Sequence, residues 1–156
     1  MTTSTLEISP KLKTLAKDLS VDFPRSPRET IGGYIIAGRA LDKCRAYLNG
    51  TVGEYHFDCP LDNMFFDFAG IKADAFKAMV ATGADDAEMA TWITENAQKR
   101  ERIDIVKWNN KYRYMTIDNM PDNIQLYLED YIPENIPAGR VVYFWFDVYD
   151  LEEKRL

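Results

Sequence analysis

The sequence is short of the residues that most often carry chemistry. It has one histidine and two cysteines. Cys44 and Cys59 lack CxxC spacing, so they are no zinc framework. His56 and Cys59 stand three apart in HFDC and supply at most two metal ligands, with no second histidine to extend the set; no metal and no cofactor is assigned. There is no nucleophile elbow, no P-loop, no GxGxxG and no EF-hand spacing. The longest uninterrupted apolar run is VVYFWF, Val141 to Phe146. That is far below the roughly 20 residues that span a bilayer, so no membrane association is expected. The opening MTTSTLEISP has neither a basic n-region nor an apolar h-region. A cytoplasmic protein with reduced thiols is therefore expected. Excess positive charge is also absent. The net charge is −6, so nucleic acid is not an expected partner.

What is present is ordinary globular material: 156 residues, 46% hydrophobic and 28% charged, with aromatics at 13%. That is enough chain for one domain, residues 1–156, that needs no staple. The polar N-terminus up to Ser9 is expected to fray. Ser9-Pro10 caps a first helix that runs to about Leu19, with Leu12, Leu15, Ala16 and Leu19 inward. Ser26, Pro27 and Glu29 form a capping-box pattern, but Gly32-Gly33 follows one turn later and breaks it. The main helix is expected from Tyr34 to Gly50, with Tyr34, Ala37, Leu41, Cys44 and Leu48 on one face. Gly38 within it suggests close approach of another group or a tolerated weakness.

Further helices are expected over Leu61–Phe68, Ala73–Thr82, Asp85 (capping box with Glu88) to Gln98, Lys99–Thr116, and Asp122 to just before Pro133. The segment 141–149 is β-rich in composition, yet Val142, Trp145, Phe146 and Tyr149 fit a helix. With no partner strand in sight, helix is favoured over an extended segment. The fold class is all-α, with about six or seven helices. Residues 24–98 form a motif-bearing part and 99–156 form C-terminal helices, without a flexible linker between them.

Net charge conceals a block pattern. Residues 24–50 carry five basic and two acidic side chains, whereas 51–98 carry two and nine. Residues 99–117 carry six basic and two acidic, and 118–156 carry three and nine. In the first basic block, Arg39 and Lys43 are four apart and share a helix face. Arg28 lies in the turn after Ser26-Pro27, where backbone N–H groups favour an anion. Either these cations pair with the acidic block that follows, or they hold a phosphate or carboxylate. The second basic block interleaves Lys107, Lys111 and Arg113 with Trp108, Tyr112 and Tyr114. Trp108 and Tyr112 fall on the inward stripe, which argues against base stacking.

His56 is the one side chain whose unperturbed pKa lies near neutrality. It sits in the loop TVGEYHFDC between two helices. A catalytic role would pair it with Cys59 as thiol; a structural role would have it hydrogen-bonded to backbone.

The runs SPRETIGGY, RALDKCRAYLNGTVGEYHFDCPLDNMFFDF and AFKAMVATGADDAEMATWI resemble a bacterial family of short uncharacterised proteins, the domain-of-unknown-function family number five-zero-six-nine. The resemblance is strong over less than half of the chain and carries no activity, cofactor or catalytic residue with it. It draws attention to polar positions of its motif, among them Arg28, Tyr34, Arg39, Lys43, Tyr55 and His56. The leading reading is a helical binding module whose pocket, made by those six residues, takes a small acidic ligand or an acidic peptide. Two other readings stay open. One is a small enzyme with His56 as general acid/base and Cys59 as thiol. The other is a protein-interaction or self-association domain using the aromatic segment VVYFWFDVYDL.

Overall fold

A computed structural model describes residues 6–156. The expected fraying of the first five residues lies outside the described residues. The fold is predominantly α-helical, with eight α-helices among the described residues. They are α1 (Pro10–Leu15), α2 (Ala37–Asn49), α3 (Pro60–Ala69), α4 (Ala73–Ala81), α5 (Asp86–Asn96), α6 (Arg102–Arg113), α7 (Asp122–Asn135) and α8 (Trp145–Glu152). The chain divides into two compact units, one ending at Arg100 and the other covering Glu101–Leu156. No helix among the described residues is long and apolar enough to cross a membrane.

The first unit is built around α2, which packs against α1, α3 and α4. Every residue from Ala37 to Ala46 is buried, so this helix has no solvent face over nearly three turns. It ends at Gly50, whose φ of 73° supplies the left-handed C-cap. Around it lies an aromatic cluster. Phe76 meets Phe66 at 5.2 Å, Phe65 at 6.2 Å, Phe57 at 6.2 Å and Trp92 at 6.2 Å, mostly edge to face. Main-chain bonds close the unit: Ser9 N–H to Ala81 O at 2.8 Å joins the start of α1 to the end of α4, and Gln98 N–H to Ala69 O at 2.7 Å joins the segment after α5 to the end of α3.

Several helix boundaries follow the expected chemistry. Ser9 Oγ accepts from Lys11 N–H, with Pro10 in the first turn. Asp85 and Glu88 form both bonds of the capping box at α5. Others differ. The first helix stops at Leu15, not Leu19, because the chain beyond is taken by the loop at residue 51: Leu19 N–H donates to Thr51 O at 2.8 Å and Thr51 Oγ1 donates to Lys17 O at 3.0 Å.

The main helix begins at Ala37, not Tyr34. Thr30–Ile31 (β1) and Tyr34–Ile35 (β2) instead form a small antiparallel pair, Thr30 opposite Ile35 and Ile31 opposite Tyr34. Its two-residue turn is Gly32-Gly33, at φ 60° and 88°, the geometry that glycine supplies to a tight hairpin. The glycines read as a helix breaker are thus the centre of a turn. Ile36 then enters α2 at φ 72°, a rare conformation for a β-branched residue, with its side chain fully buried.

The second unit holds α6, a short 3-10 helix (Ile117–Asn119), α7 and α8. Leu128, Ile136, Val148 and Leu151 form its buried cluster. Helix α7 continues two residues past Pro133, where a stop was expected. Segment 141–149 is divided: α8 starts only at Trp145. Asp147 accepts from the N–H groups of Tyr143 and Phe144 at 3.0 and 2.9 Å, which caps the helix and leaves the preceding residues irregular. Trp108 and Tyr112 are half-buried and meet edge to face at 5.4 Å.

Candidate functional site

A helix buried on every side is normally apolar, yet α2 carries four charged residues. Arg39, Asp42, Lys43 and Arg45 are 3–4% exposed. Burying a charge is costly without a partner and hydrogen bonds; Asp42, Lys43 and Arg45 have charged partners, and Arg39 donates to Arg25 O at 3.2 Å. Arg25 grips Asp42 with its fork: Nη2 to Oδ1 at 2.9 Å and Nε to Oδ2 at 3.1 Å, with the Arg25 backbone N–H also reaching Oδ2 at 2.8 Å. The same guanidinium donates through Nη1 to Asp86 Oδ2 at 2.9 Å. Arg45 donates to the other oxygen of Asp86 and to Ala84 O, both at 2.9 Å. Burial alone would raise the Asp86 pKa, but the hydrogen bonds and charges of Arg25 and Arg45 outweigh it and hold the carboxyl below its ordinary value.

Lys43 is the second centre. Its Nζ lies 2.8 Å from Asp62 Oδ1 and donates to Cys59 Sγ at 3.2 Å. Asp62 is fully buried, and its Oδ2 accepts the Asp58 N–H at 3.0 Å, which braces the turn into α3. Cys59 is half-buried at the N-cap of α3. Cys44, on α2, is fully buried, and burial pushes its thiol pKa up.

Two contacts define how the loop 51–59 lies on α2. The Arg39 guanidinium stands 5.6 Å over the Tyr55 ring, and Lys43 meets Cys59. Partners four apart on the helix therefore meet residues four apart in the loop, so the Tyr55–Cys59 segment runs along the Arg39/Lys43 face. His56 lies on this segment with its side chain exposed.

Of the residues singled out from sequence, the structure brings Arg39, Lys43, Tyr55 and Cys59 together here. Tyr34 is 2% exposed and lies edge-on to Phe65 and Phe68 at 5.5 and 6.1 Å. It belongs to the aromatic cluster, and burial raises its phenol pKa. Arg28 is half-buried in the turn, where its N–H donates to Ser26 Oγ at 3.1 Å. The close approach read from Gly38 is by side chains: a Cβ there would lie 3.3 Å from Ile31 and 3.5 Å from Arg25.

Sequence reasoning missed Asp62, Asp86 and Arg25 as parts of this network. Nothing in the sequence neighbours of Asp62 signals its full burial. The one available signal was the basic block followed by the acidic one: Asp62 and Asp86, both from the acidic block, take Lys43 and Arg45. A separate groove of about 350 Å³ lies between α4 and α5, lined by Met79, Ala87, Glu88, Thr91, Trp92 and Glu95. None of the candidate site residues read from sequence lines it. No group of three or more metal-ligating side chains occurs among the described residues.

No curated protein matches the chain. One family does, described as a domain of unknown function, over residues 21–155. That span takes in both the motif-bearing stretch, which carried the resemblance, and the C-terminal helices, and the chain belongs to this family, DUF5069.

Proposed function

We propose that the unit up to Arg100 is a binding module for a small acidic ligand, a carboxylate or phosphate, working in the bacterial cytoplasm. The observation that carries this reading is the seating of the Tyr55–Cys59 segment on the cationic face of α2 through the Arg39–Tyr55 and Lys43–Cys59 contacts. Arg28 and His56, with the buried Arg39 behind Tyr55, supply the positive or proton-donating groups of the ligand site. Tyr55 and Cys59 supply its less polar walls. Two free cysteines, one of them half-exposed, suit a reducing compartment.

A thermal-shift screen of carboxylated and phosphorylated metabolites tests the reading. A ligand at a hundred times its dissociation constant stabilises the native state by about 2.7 kcal/mol, well within detection. The expected hit loses its shift in His56→Ala and in Arg28→Ala. No hit, or a hit indifferent to both substitutions, overturns the reading.

One contact favours a second reading. The Lys43 ammonium touching a half-exposed thiol suits an enzyme with Cys59 as nucleophile and His56 as general acid/base, since a cation beside sulfur stabilises developing negative charge. Turnover of an activated ester that vanishes in Cys59→Ser would support it. Turnover unchanged in that variant would remove it.

A further inference from the structure

The groove between α4 and α5 has a chemistry of its own. On α5, Glu88, Thr91, Trp92 and Glu95 fall at positions i, i+3, i+4 and i+7, which is one stripe of a helix. All four line the groove, with Met79 of α4 as the facing wall. Its volume of about 350 Å³ is that of a small-ligand site. Trp92 is half-buried and held edge-on by Phe76 at 6.2 Å, so the indole is a fixed surface. Glu88 is fixed as well, because its Oε1 accepts the Asp85 N–H in the capping box. Glu88 and Glu95 thus flank one tryptophan along the stripe. They are seven positions apart, about 10 Å along the axis. The surrounding stretch, residues 51–98, has nine acidic and two basic side chains; Asp62 and Asp86 are taken by Lys43, Arg25 and Arg45, and neither lines the groove.

We propose that this groove binds a linear aliphatic diammonium ion lying along α5. One ammonium meets Glu88 and the other meets Glu95. The methylene chain lies over Trp92 and Met79, where it buries apolar surface, and the cationic ends gain from the indole ring. A monoammonium ion uses one carboxylate only. A diammonium ion that is too short reaches one carboxylate at a time. The site therefore measures length as well as charge.

The test is an NMR titration of the isotopically labelled full chain, read at the Trp92 indole N–H. The probes are diaminopropane, diaminobutane, diaminohexane and diaminooctane, with hexylamine and magnesium ion as controls for charge count and for charge alone. Diaminohexane and diaminooctane are expected to bind about two- to fivefold tighter than diaminopropane and hexylamine, the gain from one further exposed ion pair. Glu95→Gln is expected to weaken the long diamines about two- to fivefold and to abolish the length preference. Glu88→Gln does the same while keeping the capping box, since glutamine serves that role. Asp74→Asn, on an exposed position of α4, leaves binding unchanged. Affinity that tracks charge alone with magnesium competing equally, no saturable binding by any diamine into the millimolar range, or equal affinity in Glu95→Gln and Asp74→Asn each overturns the proposal.

Discussion

Replacing Lys43 by methionine should be among the most damaging single changes in the first unit, and its magnitude follows from the geometry. Methionine matches the lysine stem in length and packs in the same channel, so the change removes the ammonium and little else. Asp62 then keeps its charge in a fully buried position, with only the Asp58 N–H to satisfy it. At the 2.8 Å separation and an effective dielectric of about 20, the lost attraction is roughly 6 kcal/mol. The native structure avoids part of that loss by relaxation and water entry, which brings the expected cost to about 3–5 kcal/mol. Against a total of about 5–15 kcal/mol for a domain, that leaves the unit marginal.

Urea denaturation read by tryptophan fluorescence measures this, provided the signal reports the right unit. Trp92 lies in the first unit, while Trp108 and Trp145 lie in the second. Changing both of the latter to phenylalanine makes Trp92 the reporter. The companion variant carries Lys43→Met with Asp62→Asn. The amide oxygen still accepts the Asp58 N–H, and no unpaired charge remains at this position. It should recover about 2 kcal/mol or more of the loss, because a buried pair removed as a whole costs little. A single variant that loses under about 1 kcal/mol, or a double variant no more stable than the single, would refute the view that a sealed ion pair holds α3 to α2.

Further consequences are open to measurement. The Asp86 carboxyl is held below its ordinary pKa by Arg25 and Arg45, so it contributes stability that is fully present above the ordinary carboxylate pKa near 4 and is lost as pH falls through the depressed native value. Wild type should therefore exceed Asp86→Asn by a constant margin at neutral pH, and the margin should shrink in acid; a pH-independent difference would contradict the pairing. Ellman's reagent should titrate one thiol in the native protein, Cys59, and both in urea, since Cys44 is buried. Gly53→Ala should cost about 2 kcal/mol or more, from a positive φ and a Cβ that would lie 2.7 Å from Leu19 O; Gly50→Ala, with a similar φ and open space, should cost only about 1 kcal/mol. Equal losses at these two glycines would refute a close contact between residue 53 and the Leu19 carbonyl.

Helices whose ends are set by local chemistry were legible in the sequence. Ser9-Pro10, Asp85 with Glu88, and Gly50 each satisfy terminal backbone groups from within a few residues, so no tertiary knowledge is needed. The misplaced boundaries are those where a distant segment supplies the partner. The chain after Leu15 leaves the helix for Thr51, which lies far away in sequence. Gly32-Gly33 carried two meanings, breaker and hairpin turn. Only the pairing of Thr30 with Ile35 and Ile31 with Tyr34 distinguishes them, and two-residue strands leave almost no alternation to detect.

The candidate site shows the same limit at the level of charge. Spacing placed Arg39 and Lys43 on one face, and that face does carry the loop from Tyr55 to Cys59. The alternative, in which basic residues pair with the following acidic block, describes Lys43 and Arg45 equally well. The two readings were posed as rivals because a surface helix offers its cations either to solvent ligands or to neighbours. A helix buried throughout removes that choice. Lys43 and Arg45 are held by carboxylates inside the fold, so a change at either reaches folding first, whereas Arg28 is half-buried and His56 exposed. That is why the substitutions that separate binding from folding are at Arg28 and His56, and why the same experiment at Lys43 reports on stability.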